Sequence, residues 1–442
     1  MKTHTNSGKT TGKPLHMYEG VELDAKLRQL RREFHRCPES GWTEFAATAR
    51  VIGLLREMDL PVQFGRSVHV REKMMGLPDD AAMEVCWQRA LEEGADAALL
   101  REMRGGYTGC VTEIRGALPG PVVAIRVDMD CNGLSECAEA DHRPAAEGFA
   151  SVHPGCMHAC GHDAHMAIGL GVAARLCQCR DRLRGTVRLI FQSAEEGLRG
   201  AASMTAAGVV DGCERFFALH VGLSDMPTGT VAASARGFLA STKFDVELEG
   251  LEAHAGLNPE QGRNAMAAGA TAVLNLLAIP RHRGGESRVN VGTFHAGSGR
   301  NVIPGKAVLT VETRGETGEV NRYVEERAKK VCLAAADMYE CSCAIRHMGG
   351  AGTTRCDREL AERAEAVLKT VDGVEAVVQD FSFGGGEDAV TMMERVRQQG
   401  GQATMLVFPM PLCAPHHSPR FDVDEDVISL AVRCMTALAL EL

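Results

Sequence analysis

The chain has 442 residues, too long for one ordinary hydrophobic core, so two domains or a large α/β domain with an insertion are expected. Its 48 basic and 58 acidic side chains give a formal charge of -10, which argues against nucleic acid and anionic membrane surfaces as partners. Apolar residues make up 45% and aromatics only 5%, a balance that suits a Gly- and Ala-rich α/β enzyme rather than a sandwich or a coiled coil.

Residues 1–16 are polar and basic with no apolar core, so no secretory signal is expected there. Together with 16 cysteines this predicts reduced thiols in the cytoplasm, most of them acting as small core residues. Four short β-rich runs follow, at 122–127, 187–191, 216–221 and 403–408, with Gly- and Ala-rich helical stretches between several of them. That alternation predicts a largely parallel sheet. Each run delivers acid/base or metal-binding side chains at or just past its end: Asp128 and Asp130, Glu195 and Glu196, His220, and His416 and His417. Ligands of open α/β sheets bind beyond the carboxyl ends of the strands, so one shared site is expected there.

From 240 to 350 the pattern changes. Residues 243–249, 288–294 and 307–314 read as strands, and 264–279 and 320–339 as helices. The most apolar stretch, 265–280, is expected to be a buried helix rather than a membrane span. We expect a small α+β unit at 240–350 interrupting a catalytic domain made of 1–239 and 351–442.

The chemistry concentrates in MHACGHDAH, residues 157–165, where one thiol and three imidazoles crowd together. Thiolate and imidazole both bind first-row metals, and Cys160 and His162 can reach one site from a tight turn. In FQSAEEG the neighbours Glu195 and Glu196 point different ways, so one can hold a metal while the other moves a proton. The 240–350 segment adds His254, Asn301 and Arg314, residues suited to stabilising an oxyanion or gripping a carboxylate.

RVDMD, MHACGHDAH, SAEEG, ALHVG, AHAG with GRNA after it, GSGRNVIP and HHSPRFDVDE resemble, in order, the amidohydrolase branch of the family that includes carboxypeptidase G. That branch also holds hippurate hydrolase, N-acyl amino acid hydrolases and auxin-conjugate hydrolases, and the likeness runs from about Leu23 onward. Within it, REFHRCPESGWTEF, the stretch 65–109 with MGLPD and GGYTG, and RVNVG are most similar to one of the two chain types of the p-aminobenzoyl-glutamate hydrolases.

The resemblance implies a di-metal hydrolase domain with an inserted lid and dimerisation domain. It implies metal ligation by Cys160, His162, Glu196, His220 and His417, with His417 preferred to His416 because it directly precedes the SPRF segment. Glu195 becomes the general base and acid, His254 the oxyanion partner supplied across a dimer, and Asn301 and Arg314 the carboxylate binders. The expected cofactors are two divalent ions, manganese first and zinc as the alternative to which thiolate ligation leans. The expected substrate is an N-acyl amino acid, p-aminobenzoyl-glutamate first; the alternatives are a broader hippurate-like range or a non-catalytic, metal-binding scaffold chain. A homodimer, or a heterodimer with a related second chain, is the expected assembly. Two departures stand out: Arg126 where the wider family has histidine, which leaves Asp128 as outer support, and Ser193 where proline is usual. The stretch 65–109 is expected to cover the aryl end of the substrate through Trp87 and Tyr107.

Overall fold

The structure, a computed structural model, describes residues 13–442; the first twelve residues of the polar amino-terminal segment lie outside the described residues. With strands numbered in chain order, the larger sheet contains β1 (Val62–Phe64), β2 (Cys110–Arg115), β3 (Leu118–Asp128), β4 (Arg184–Gln192), β5 (Arg215–Asp225), β6 (Thr230–Ala232), β14 (Ala376–Val378) and β16 (Gln402–Met410). Their spatial order is β1-β2-β4-β3-β5-β16-β6-β14. The four runs expected from sequence are the adjacent central strands β4, β3, β5 and β16, all parallel to one another.

Alternation along these strands feeds two cores. Val123, Ile125, Val127, Phe217, Leu219, Leu406 and Phe408 face one cluster, and Ala124, Phe216, Ala218, Met405 and Val407 face the other. Strands buried on both faces read as continuous apolar runs, which is why they were visible in the sequence. The helix His162–Gln178 lies almost wholly buried against the first face. It sits close because Gly169 has no side chain; a Cβ there would come within 2.9 Å of Phe191.

A second sheet is built from β8 (Ala240–Glu249), β10 (Ser287–Ala296), β12 (Lys306–Gly315) and β13 (Ser342–Ala351), in the order β10-β12-β8-β13 and antiparallel throughout. The helices Ala265–Leu277 and Gly318–Met338 pack on its apolar face, with Phe244, Val246, Leu248 and Leu309 between them. Strand β13 was not anticipated; its half-exposed edge position and Gly349 and Gly350 blur the alternation. The expected buried helix at 265–280 is a helix with one wet face: Leu274 is 72% and Leu277 60% exposed. Two short pairs complete the set: β7 (Ala235–Arg236) runs parallel to β15 (Phe381–Ser382), and a ribbon of β9 (Ala253–His254) and β11 (Val302–Ile303) hangs beside the second sheet. Among the described residues no helix is long and apolar enough to cross a membrane.

Candidate metal centre

Past the carboxyl ends of β3, β4, β5 and β16 lies a cleft of about 350 Å³ lined by Cys160, Glu195, Glu196, His220, His416 and His417 on one side and by Ser241, Lys243 and Arg314 on the other. Asp130, just beyond β3, organises its floor. Its two carboxylate oxygens accept the backbone N–H groups of Glu195 and Glu196, both at 2.9 Å, and its carbonyl accepts His162 Nδ1 at 2.8 Å. Gly161, with φ 88°, turns the chain from Cys160 into the helix that starts at His162; a Cβ there would strike Val221 Cγ2 at 2.7 Å.

Hydrogen bonds to the backbone fix the imidazole tautomers, because a carbonyl only accepts and an amide N–H only donates. His162 Nδ1 donates to the Asp130 carbonyl and His220 Nδ1 to the Val221 carbonyl at 2.7 Å, so in its neutral form each turns an unprotonated Nε2 to the cleft. Burial keeps His220 neutral, whereas at His162 burial is outweighed by the Asp128 carboxylate, which favours the protonated ring until a cation replaces the proton. His165 and His416 are the reverse. His165 Nε2 accepts from Val221 N–H at 3.0 Å while Nδ1 donates to Asp128 at 2.5 Å, and His416 Nε2 accepts from Leu223 N–H at 2.9 Å. A neutral His416 therefore carries its proton on Nδ1 and has no lone pair left for a metal, whereas His417 Nε2 faces Glu196 Oε1 at 3.6 Å. Burial, with help from His417, His165 and His162, pushes His416 down to about 3, so it stays neutral.

These donors suit divalent cations. His162 Nε2 and Glu196 Oε1 are buried without hydrogen-bond partners. Donor atoms of Cys160, Glu196 and His417 lie within 4.8 Å of one another, as do those of His162, Glu195 and Glu196, so Glu196 belongs to two overlapping groups. Cys160 Sγ also lies 3.5 Å from His220 Nε2. Soft sulfur, imidazole and carboxylate together fit first-row ions.

Glu195 has a different environment. Burial and the nearby carboxylates of Glu387, Glu196 and Asp388 hold its carboxyl well above the usual range. Glu387 and Asp388, from the run GGGED, were not singled out from sequence, although a second acid pair beside glycine mirrors SAEEG. They belong to a buried cluster around Arg126, whose guanidinium meets Asp128 at 2.7 Å and Glu387 and Asp388 both at 3.1 Å, and donates to Gln192 at 2.8 Å. Burial pushes Asp388 up to about 7, against the pull of Arg126 and with the push of Glu387. Asp128 is engaged by both Arg126 and His165. Replacing Arg126 with Met would leave these acids buried without their cation, and we expect a loss of about 3–5 kcal/mol in urea unfolding. An unchanged midpoint would mean that the cluster simply takes up protons. Backbone conformation is also constrained here: Ala194, Leu198, Leu223 and His417 all have positive φ.

Of the residues expected from the 240–350 segment, only Arg314 reaches the cleft. It lies opposite Ser241 on β8, and Glu312, opposite Lys243, receives both cations: Arg314 Nε at 3.0 Å and Lys243 Nζ at 3.2 Å. Lys243 was not anticipated. His254 and Asn301 sit exposed on the β9–β11 ribbon, joined by an Ala255 N–H bond to the Asn301 carbonyl, and are not among the lining residues. His254 Nδ1 accepts from the Gly256 and Leu257 amides, both at 3.1 Å, so its Nε2 carries a proton available for donation. The expectation for 65–109 needs correction. Trp87 and Tyr107 are core residues rather than a cover, 8% and 4% exposed. The stretch instead braces the loop of Glu195 and Glu196: Arg199 donates to the Gly76 carbonyl at 2.9 Å and to the Glu196 carbonyl at 2.8 Å.

Comparison with known proteins agrees with this geometry. The chain is 46% identical to indole-3-acetyl-aspartic acid hydrolase of Enterobacter agglomerans, covering 95% of this chain and 96% of that protein. It is 44% identical to the A subunit of p-aminobenzoyl-glutamate hydrolase from Escherichia coli strain K12, with the same coverage of each. Among solved structures, the aminobenzoyl-glutamate utilization protein from Klebsiella pneumoniae superposes with a TM-score of 0.82 at 40% identity, covering 95% of this chain and 97% of that one. Residues 124–441, which carry every cleft donor named above, match the model of Peptidase family M20/M25/M40, and the chain belongs to that family of metal-dependent hydrolases.

Proposed function

We propose that this protein hydrolyses the amide bond between an aryl-bearing acyl group and an acidic amino acid, with p-aminobenzoyl-glutamate as the first candidate substrate and indole-3-acetyl-aspartate as the second. The observation that carries this reading is the pair of cations, Lys243 and Arg314, that share Glu312 across the cleft from Glu195. An acidic amino acid brings two carboxylates, and two cations already gathered around one carboxylate offer matching partners. Phe383, Leu198 and Leu223 give the cleft an apolar wall for the acyl group.

Cys160, His162, Glu196, His220 and His417 would hold two divalent ions, manganese or zinc, which supply the Lewis acidity that makes water a nucleophile at neutral pH. Glu195 takes the proton from the attacking water and returns it to the departing amide nitrogen, a task its raised proton affinity suits. His254 Nε2–H, with Asn301 beside it, is read as donated to the oxyanion of a neighbouring protomer. The segment 240–350 would form a separate lid and dimerisation domain. Its own core, the unpaired edge of β10 and the exposed Leu274 and Leu277 support that reading. The partner in such a dimer is another copy or a related chain. A cytoplasmic setting is supported by sixteen free cysteines.

The test is purified protein with added manganese, or zinc in parallel, assayed on p-aminobenzoyl-glutamate, indole-3-acetyl-aspartate, hippurate and an N-acetyl neutral amino acid. We expect kcat/KM for the acidic conjugates to exceed that for hippurate by about tenfold or more, equivalent to one good charged contact. Arg314→Lys, which keeps the charge but loses the planar fork, should erase most of that preference through KM. A flat substrate profile would favour the broader N-acyl amino acid hydrolase, and inactivity on all four substrates with full metal content the scaffold chain.

A further inference from the structure

A second group of cysteines stands apart from the metal donors. Cys131 and Cys156 come from different segments, yet Ser40 Oγ lies 3.9 Å from one sulfur and 3.6 Å from the other. Asn132 and Met157 exchange both backbone hydrogen bonds, at 3.0 and 3.1 Å, which sets Cys131 and Cys156 diagonally across that pair with side chains on one face. Their exposure differs: Cys131 is 3% exposed, whereas Cys156 is only half-buried. The neighbouring Cys131 thiol outweighs burial and, with the Ser40 hydroxyl, Arg89 and His153, pulls the Cys156 thiol down to about 5. Burial first, then the same contact, pushes the Cys131 thiol up. Neither residue lines the cleft.

We propose that Cys156 and Cys131 form a reversible peroxide-oxidation site, with Cys156 as the attacking thiol and Cys131 as the resolving one, independent of which substrate the cleft takes. The Cys156 thiolate attacks the O–O bond of a hydroperoxide, giving Cys156 sulfenic acid and, after protonation, one molecule of water or alcohol. Cys131 sulfur then attacks the Cys156 sulfur; the S–S bond forms, the S–O bond breaks, and the Cys131 proton leaves with the hydroxyl as water. Two electrons have passed from the thiols to the peroxide, and a dithiol reductant returns them.

Closing this bond reaches the metal centre through the backbone. Cys131 directly follows Asp130, which holds the Glu195 and Glu196 amides and orients His162. Cys156 leads into the loop that carries Cys160. Drawing the two sulfurs together shifts the Asn132–Met157 pair and, with it, Asp130.

The metal-loaded protein is treated with stoichiometric hydrogen peroxide, blocked with N-ethylmaleimide, digested without reduction and mapped by mass spectrometry. We expect a Cys131–Cys156 linked peptide that dithiothreitol abolishes. Release of metal to a chelator should rise by about tenfold, the scale of losing an outer support, and fall back on reduction. Cys131→Ser should stop at a Cys156 sulfenic acid that dimedone traps, Cys156→Ser should give neither product, and both variants should keep basal activity before oxidation. A link from Cys156 to Cys86 or Cys37, oxidation centred on Cys160, or a Cys131–Cys156 link with unchanged metal release would each overturn the proposal.

Discussion

Glu195→Gln is expected to lower kcat by about a thousandfold, the scale of removing a general base and acid, while metal content by elemental analysis stays near that of the native protein. Glu196→Gln, one residue away, should lose metal as well as turnover, because its buried Oε1 makes no hydrogen bond within the chain and is free to hold an ion. The contrast rests on position: Asp130 clamps both amides, yet Glu195 faces Glu387 and Asp388 while Glu196 faces His417. The pH profile carries the same assignment. A base must be ionised, and Glu195 is held above the ordinary carboxyl range, so kcat/KM should fall on the acid side at a pH higher than a free glutamate would give. Glu387→Gln removes the largest repulsive charge and should move that limb to lower pH. A metal-free Glu195→Gln alongside a metal-replete Glu196→Gln would exchange the two roles.

Mixing inactive Glu195→Ala with inactive His254→Ala should restore activity once protomers exchange. In a mixed dimer, one site combines an intact Glu195 with the intact His254 of the other chain, so complete exchange returns about a quarter of the native sites. The motive is geometric: His254 carries a fixed, outward Nε2–H on an exposed ribbon and is absent from the lining of its own chain's cleft. If the single chain is inactive alone, a related second chain is supplied to both arms. A mixture that stays dead while native mass spectrometry shows exchange would place His254 within its own chain's chemistry or outside it altogether.

The central strands were legible because burial on both faces leaves unbroken apolar runs, and the site because each run ends in polar chemistry. Side-chain type was therefore readable, but proximity was not. Lys243 looked like any exposed position of an alternating strand; only the β8–β12 register sets it opposite Glu312 and beside Arg314. His416 and His417 were ranked by resemblance alone, whereas the Leu223 N–H contact separates them on tautomer grounds. Trp87 and Tyr107 invited a substrate role because the stretch 65–109 offered no other chemistry for an aryl group, and folding spends both on the core. Asp130 gave no sign of the two amides it clamps, since nothing in a sequence announces which backbone N–H groups a carboxylate will hold.

The Arg126 cluster and the metal donors are completed late in synthesis. Glu387, Asp388 and His417 all lie in the final stretch of the chain, and Asp422 and Glu425 beyond them pair with Arg31 of the first helix, Gly20–Arg36. While this chain emerges from the ribosome, Cys160 and His162 are made long before His417, so the proposed donor set would be unfinished until the last strand has been passed. With the donor set proposed above, a fragment stopped short of residue 417 would lack both a proposed metal donor and the acidic partners that Arg31 meets in the folded chain.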